Sequence, residues 1–166
     1  MKKTRLYNVI FPVWMLFLVP QVWLIALPGN LIIDCAVLLI TLTALRHTAK
    51  LTVLKQVWWK IWLLGFGADF VGIAFMLPAL FMGINLSGPQ YDWWSAWVEP
   101  ILYNCFRSPL AFLWTAAAVA LSGVCIYFFD KWAMRSCDQL TDRQRHIICL
   151  TLAIATAPWT FFIPMY

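Results

Sequence analysis

Five long apolar runs constrain most strongly how this chain can fold. They cover roughly residues 8–27, 29–46, 61–83, 109–129 and 147–165. About 20 helical residues cross the hydrocarbon core of a bilayer, so each run is near the length of a membrane-spanning helix. Only 11% of the residues are charged, and a soluble domain of this composition would expose large apolar patches. We therefore predict an all-α polytopic membrane protein, a single domain over residues 1–166 with about five transmembrane helices.

Local signals mark where the helices begin and end. Pro28-Gly29-Asn30 separates the first two runs, which predicts a turn between two spans. The fifth run contains Pro158 and Pro164 and has the weakest pattern of the five. Thr141 and Gln144 precede it at the spacing of a capping box, which predicts that this helix begins before the membrane.

The basic residues predict the orientation. If the N-terminus is cytoplasmic, the five spans leave only Arg107 among the lysines and arginines outside. The other eleven then lie inside: Lys2, Lys3, Arg5, Arg46, Lys50, Lys55, Lys60, Lys131, Arg135, Arg143 and Arg145. This asymmetry is typical of membrane proteins and predicts an external C-terminus. The expected location is the plasma membrane of a bacterial cell. The net charge of +5 is explained by orientation, so no nucleic-acid partner is expected.

A loop rich in Trp and Pro connects the third and fourth spans on the outer side, over residues 84–108. Tryptophan is enriched where a membrane meets water, so we interpret its indoles as part of an interfacial aromatic belt. A ligand lid or stacking platform over residues 91–97 is the alternative. The belt residues at the two surfaces are Trp93, Trp94, Trp97, Trp58 and Trp59.

Two acidic residues lie inside the spans, Asp34 in the second and Asp69 in the third. An ionisable group in hydrocarbon is costly, so each is a candidate ion or proton site. Gly65, Ala68 and Gly72 share one helical face with Asp69, and small residues let another helix approach closely. Asp69 is therefore expected to face the bundle or an oligomer interface. The alternative role is a neutral, hydrogen-bonded acid that holds two helices together.

Other polar residues complete the predicted interior. Asn30 and Thr41 lie near the Asp34 side of the second span, and Gln21 in the first span could join them. Arg107, at the outer mouth of the fourth span, is predicted to pair with Asp34, which the span boundaries place about one turn below the outer surface. No metal site and no cofactor is predicted.

The segment Gly65-Phe66-Gly67-Ala68-Asp69-Phe70 resembles the Gly-x-Gly-Asp motif of intramembrane aspartyl proteases, which include presenilins and prepilin peptidases. The resemblance implies a catalytic pair formed by Asp69 and an Asp on a neighbouring helix, here Asp34. An additional residue between Gly67 and Asp69 turns this Asp by about 100°. The predicted depths of the two acids also differ by about 10 Å, too much for a shared catalytic water. The protease is therefore a minor alternative.

The leading hypothesis is a protein without enzymatic activity, a channel or transport component linked to cations or protons. A structural or scaffolding subunit of a membrane complex is the alternative. Five thin helices enclose little volume, so we expect the protein to form a homo-oligomer or to bind other membrane subunits within the lipid bilayer.

Overall fold

The computed structural model describes residues 19–164, which form five α-helices and four short 3-10 turns. The α-helices are α1 (Pro20–Ala44), α2 (Lys50–Met82), α3 (Pro89–Trp97), α4 (Pro109–Ala133) and α5 (Asp142–Ala155). The 3-10 turns are Glu99–Leu102, Cys105–Arg107, Met134–Ser136 and Trp159–Phe162. Within this part of the chain, four helical segments are long and apolar enough to cross a membrane. They begin at Trp23, Lys50, Pro109 and Asp142, and they confirm the polytopic all-α fold.

The predicted turn at residues 28–30 is wrong, because α1 runs through it without interruption. Pro28 lies inside the helix, and the Trp62 indole of α2 donates a hydrogen bond of 2.8 Å to the neighbouring Leu27 carbonyl. A turn in hydrocarbon would leave several backbone groups unpaired, whereas a proline within a helix removes one bond. The boundary between the first and second predicted spans therefore disappears. The start of the first predicted span, before residue 19, lies outside the described residues.

Helix α2 begins well before its predicted start at residue 61. Its 33 residues extend about 50 Å, more than the hydrocarbon thickness of about 30 Å. Val53 and Val57 in the added portion are buried in the bundle. Near the other end, the Trp114 indole of α4 donates to the Phe75 carbonyl at 3.1 Å, in the turn before Pro78. The bond lies one residue from the Ala74 carbonyl, whose helical hydrogen bond Pro78 removes.

The four spans close a ring, in which α2 packs on α1 and α4 while α5 packs on α4 and α1. Two apolar layers fill it. The layer nearer the α1–α2 connection includes Leu38, Val57, Ile126 and Leu152. The other layer lies beneath α3 and includes Met76, Trp94, Ala118 and Phe161. Polar side chains lie between and beside these layers.

Helix α3 and the turns that follow it cover one end of the bundle. Trp94 is 6% exposed, and its indole donates to the Ala79 carbonyl at 3.2 Å. A Cβ on Gly83 would overlap this ring, so the glycine makes room for it. The assignment of Trp94 to an interfacial belt is therefore wrong, because only this side chain of α3 turns into the core. By contrast Trp93 is exposed, as are Trp97, Trp58 and Trp59.

Helix α5 begins with the predicted capping box, which the structure confirms. The Thr141 hydroxyl accepts from the Gln144 backbone N–H, and the Gln144 side chain accepts from the Thr141 N–H. Arg145, one residue further, donates to three backbone carbonyls of the preceding connection, at 3.1, 3.4 and 3.5 Å. It also pairs with Asp142 at 2.7 Å. These bonds fix the tight connection between α4 and α5.

One end of the bundle carries the connections α1–α2 and α4–α5, and we call it the basic end. Among the described residues it holds Arg46, Lys50, Lys55, Lys60, Lys131, Arg135, Arg143 and Arg145. The opposite end, covered by α3, carries Arg107. The positive-inside rule predicts that the basic end faces the cytoplasm.

Candidate functional site

Three carboxyl groups are buried within the bundle, each on a different spanning helix. They belong to Asp34 on α1, Asp69 on α2 and Asp130 on α4, with exposed fractions of 6%, 5% and 2%. In the described residues none of the three forms an ion pair with a lysine or arginine. Buried acids without basic partners are costly in a membrane, so this region is the candidate functional site.

Asp69 lies at the contact between α1 and α2. The Asn30 side-chain amide of α1 donates to Asp69 Oδ2 at 3.5 Å, a long hydrogen bond. The other oxygen, Oδ1, is buried and finds no hydrogen-bond partner among the described residues. The Asp34 carboxyl lies within electrostatic range of Asp69. The sequence places Asn30 near Asp34 and indicates no hydrogen-bond partner for Asp69. In the structure Asn30 is hydrogen-bonded to Asp69.

Asp34 lies deep in the bundle, which corrects its predicted depth. A Cβ on Gly65 would lie 3.7 Å from Asp34 Oδ2, so the two residues are level. Gly65 is one helical turn from Asp69, and the predicted depth difference between the two acids is therefore wrong. The error came from the turn assumed at residues 28–30. Asp34 is 14 residues into the continuous α1, about 21 Å from its start.

The predicted pairing of Arg107 with Asp34 is also not observed. Arg107 belongs to a 3-10 turn next to α3, and its guanidinium lies 5.4 Å from the centre of the Tyr103 ring. Asp34 faces α2 at the level of Gly65 instead. The length of α1 between the two ends explains why the arginine does not reach it.

Asp130 is the acid that the sequence analysis missed. The fourth predicted span ends at residue 129, which places Asp130 just outside it. In the structure α4 continues to Ala133, and Asp130 is buried with no partner for its Oδ1 among the described residues. It also lies within electrostatic range of Asp34. The sequence does contain a pattern that indicates burial of Asp130. Ser122, Ile126 and Asp130 follow one another at intervals of four residues and therefore share one face of the helix.

Two hydroxyl groups on α4 extend the polar region toward α3. Ser122 and Thr115 are fully buried. In the part of the chain that the structure describes, the Ser122 hydroxyl has no hydrogen-bond partner, and Thr115 lies beside the Cys105 thiol. Ser122 lies against Gly72, whose missing side chain gives the hydroxyl its space. Along α4, Thr115 is about 10 Å from Ser122 toward α3, and Asp130 is about 12 Å toward the basic end. We call the whole set the polar column: Thr115, Ser122, Asp69, Asp34 and Asp130.

Two other predicted site residues, Thr41 and Gln21, take no part in the polar column. Thr41 is buried, but its hydroxyl donates to the Val37 carbonyl of its own helix at 2.8 Å. Gln21 is exposed, so it does not complete the polar interior. Ala68 is fully buried in the core, on the face of α2 that also carries Gly65 and Gly72. That face thus contacts α1 at Gly65 and α4 at Gly72.

The ionisable and hydroxyl groups of this region come from three different helices. Within residues 19–164, no three His, Cys, Asp or Glu side chains converge as metal ligands. The carboxyls are distributed along the bundle, and hydroxyls lie beside them, able both to donate and to accept a hydrogen bond.

The fold and this site define a polytopic α-helical membrane protein with a column of buried acids and hydroxyls inside its bundle. Comparison with known proteins yields no matching protein family, no matching curated protein and no matching solved structure.

Proposed function

We propose that this protein is a proton-linked membrane transport component, without enzymatic activity, in which the polar column carries the proton. The observation that supports this best is the Asp69 carboxyl, which is buried, has Asp34 in electrostatic range, and has one oxygen without a partner in residues 19–164. Ionisable groups inside membrane bundles commonly mark ion and proton pathways. No other described region places acids from three helices in one interior.

The incomplete hydrogen bonding of the buried acids favours a role in proton transfer over a purely structural role. An acid that only locks two helices gains most when both its oxygens are bonded, because an unpaired buried acceptor costs about 1–3 kcal/mol. Among residues 19–164, Asp69 Oδ1 and Asp130 Oδ1 both lack a hydrogen-bond partner, as does the Ser122 hydroxyl. These groups are therefore free to accept a proton or a transient water.

The charges also connect the three acids. Asp34 lies within electrostatic range of both Asp69 and Asp130. In a low-dielectric interior a unit charge acts strongly on a neighbouring group. Gain or loss of a proton at Asp34 would thus change the proton affinity of the other two carboxyls. In this proposal the coupling links the protonation states of carboxyls at successive depths, from Asp69 toward Asp130 at the basic end.

Proton flux into liposomes tests the proposal. The full chain is reconstituted with a trapped pH-sensitive dye, and a pH gradient is imposed. We expect the wild type to collapse the gradient and Asp69→Asn to slow this to the rate of protein-free liposomes. Asp92→Asn, at an exposed acid on α3, serves as the matched control and should leave the flux unchanged. Wild-type liposomes that hold the gradient, or an Asp69→Asn variant with full flux, would refute it.

The same experiment distinguishes the remaining alternatives. A scaffolding subunit predicts that Asp69→Asn alters thermal stability or assembly while the protein carries no flux. A metal-cation pathway predicts Asp69-dependent flux of Na⁺ or K⁺ instead of protons. Formation of a homo-oligomer or a larger complex stays a prediction, and the mass of the detergent-solubilised protein measures it.

An intramembrane aspartyl protease is the second candidate, and the placement of Asp34 supports it. The two acids of the partial Gly-x-Gly-Asp resemblance are one helical turn apart in level, so depth no longer argues against a pair. The extra residue before Asp69 still departs from the motif. A protease needs Asp34 and Asp69 but not the hydroxyls. Loss of membrane-peptide cleavage on Asp34→Asn or Asp69→Asn, with no effect of Ser122→Ala, would favour it.

A further inference from the structure

A long apolar groove lies between α4 and α5, on the outside of the bundle and separate from the polar column. Its volume is about 540 Å³, within the range of ligand sites in proteins. Small residues of α4 form its floor: Ala116, Ala120 and Gly123. The part along α4, from Ala116 to Tyr127, is about 17 Å long. A surface recess of this length in a bilayer is filled by an acyl chain or by another helix.

The end of the groove nearer the basic end is polar and positively charged. Tyr127 lines the groove, and its hydroxyl shares a hydrogen bond of 2.9 Å with His146 Nδ1. The Lys131 ammonium lies 5.7 Å from the centre of the Tyr127 ring. Arg143 precedes His146 by three residues, and thus belongs to the same face of α5. The nearby Asp142 is already paired with Arg145.

The opposite end of the groove is aromatic. Trp159 and Phe162 line it, with ring centres 6.4 Å apart in a stacked arrangement. The groove is therefore apolar along its length and carries polar and basic groups at one end. This distribution matches a lipid whose headgroup is anionic and lies at the basic end of the bundle.

We propose that the groove binds one anionic phospholipid, with an acyl chain along Ala116–Gly123 and its phosphate next to Tyr127, Lys131 and His146. Charge complementarity selects the lipid class, because a second helix would need no basic group at this position. Arg and Lys near a membrane surface contribute about 1 kcal/mol each toward anionic lipid, roughly a fivefold preference. The site would thus retain an anionic lipid in preference to a zwitterionic one.

Native mass spectrometry of the full chain, titrated with phosphatidylglycerol or phosphatidylcholine in mixed micelles, measures this preference. We expect one phosphatidylglycerol retained per chain, and weaker retention of phosphatidylcholine. Ala120→Phe fills the groove and should abolish retention. Ala117→Phe is the matched control, because Ala117 is an exposed alanine of α4 that does not line the groove.

A second pair of variants tests the headgroup contacts. Lys131→Gln should lower the preference for phosphatidylglycerol about fivefold. Lys55→Gln, which removes an exposed lysine of α2 at the same end, should leave it unchanged. Equal binding of both lipids by the wild type would overturn the proposal. So would a dimer that dissociates on Ala120→Phe, because a second copy would then occupy the groove.

Discussion

Replacement of Gly72 by alanine tests a close approach between the spanning helices α2 and α4. A Cβ at this position would overlap the Ser122 hydroxyl oxygen, and would come within 3.1 Å of the Phe161 ring and 3.3 Å of the Ala118 carbonyl oxygen. The serine can rotate, but the carbonyl belongs to the α4 backbone and cannot. Extra volume in a packed core costs about 1–3 kcal/mol. The gain from replacing a helical glycine offsets about 0.5–1 kcal/mol of this.

The expected net effect of Gly72→Ala is a loss of up to about 2.5 kcal/mol in the free energy of unfolding, with a midpoint of about 1.3 kcal/mol. For a chain of this size the midpoint corresponds to a fall of about 3–5 °C in Tm. Thermal unfolding in detergent micelles, followed by circular dichroism, measures it. Gly67→Ala is the matched control, because no heavy atom of the described residues lies within 4 Å of its added Cβ, apart from its own helix and chain neighbours. The contact between α2 and α4 would be refuted if both variants had the same stability.

A double variant identifies the atom responsible. Ser122→Ala removes the overlapping hydroxyl oxygen, so Gly72→Ala combined with Ser122→Ala should recover part of the loss. If Ser122→Ala gave no recovery, the carbonyl of Ala118 and the Phe161 ring would account for the whole cost.

Two further predictions concern the end of the bundle covered by α3. Trp94→Phe removes the buried hydrogen bond to the Ala79 carbonyl and should lower the free energy of unfolding by about 1 kcal/mol. Trp93→Phe, at the exposed neighbour, should leave Tm unchanged. Equal Tm values for the two variants would contradict this prediction. Burial raises the pKa of Glu99 above its ordinary value of 4.5, so the folded protein holds this proton more tightly than the unfolded chain. Its contribution to stability is complete below pH 4.5 and is lost as the pH rises through the raised pKa. Glu99→Gln should therefore reduce the fall in Tm as the pH rises over this range. If Tm fell with pH as steeply in the variant as in the wild type, this role of Glu99 would be contradicted.

Hydrophobicity and charge predict the architecture of this protein well because the membrane restricts the alternatives. Apolar runs of sufficient length must be helices in lipid, which predicts the spanning segments of α2, α4 and α5. The capping box at Thr141 is equally local, since it depends on two side chains three residues apart. Both kinds of signal act within a few turns of one helix.

The errors come from features that depend on neighbouring helices. In water, Pro28-Gly29 would indicate a turn. In the bundle the helix continues, and the Trp62 indole donates a hydrogen bond to the carbonyl of Leu27, next to the proline. That one error moved Asp34 toward the surface and suggested Arg107 as its partner. Asp130 was missed because hydropathy alone ends the fourth run at the first charge. Whether such a residue is solvated or buried depends on the helices that pack against it.

The distribution of the three acids over three helices also affects how the protein enters the membrane. A charged residue at the centre of a span opposes insertion by about 2.5–3.5 kcal/mol, while each Leu, Ile or Phe favours it by about 0.3–0.6 kcal/mol. The helices that carry the buried acids have the highest mean hydropathies, 2.1, 1.8 and 1.9, against 1.2 for the segment starting at Asp142. Each can therefore tolerate its single acid and be integrated separately. The proton pathway proposed above would then exist in none of the inserted helices alone, and would form only when they associate within the lipid.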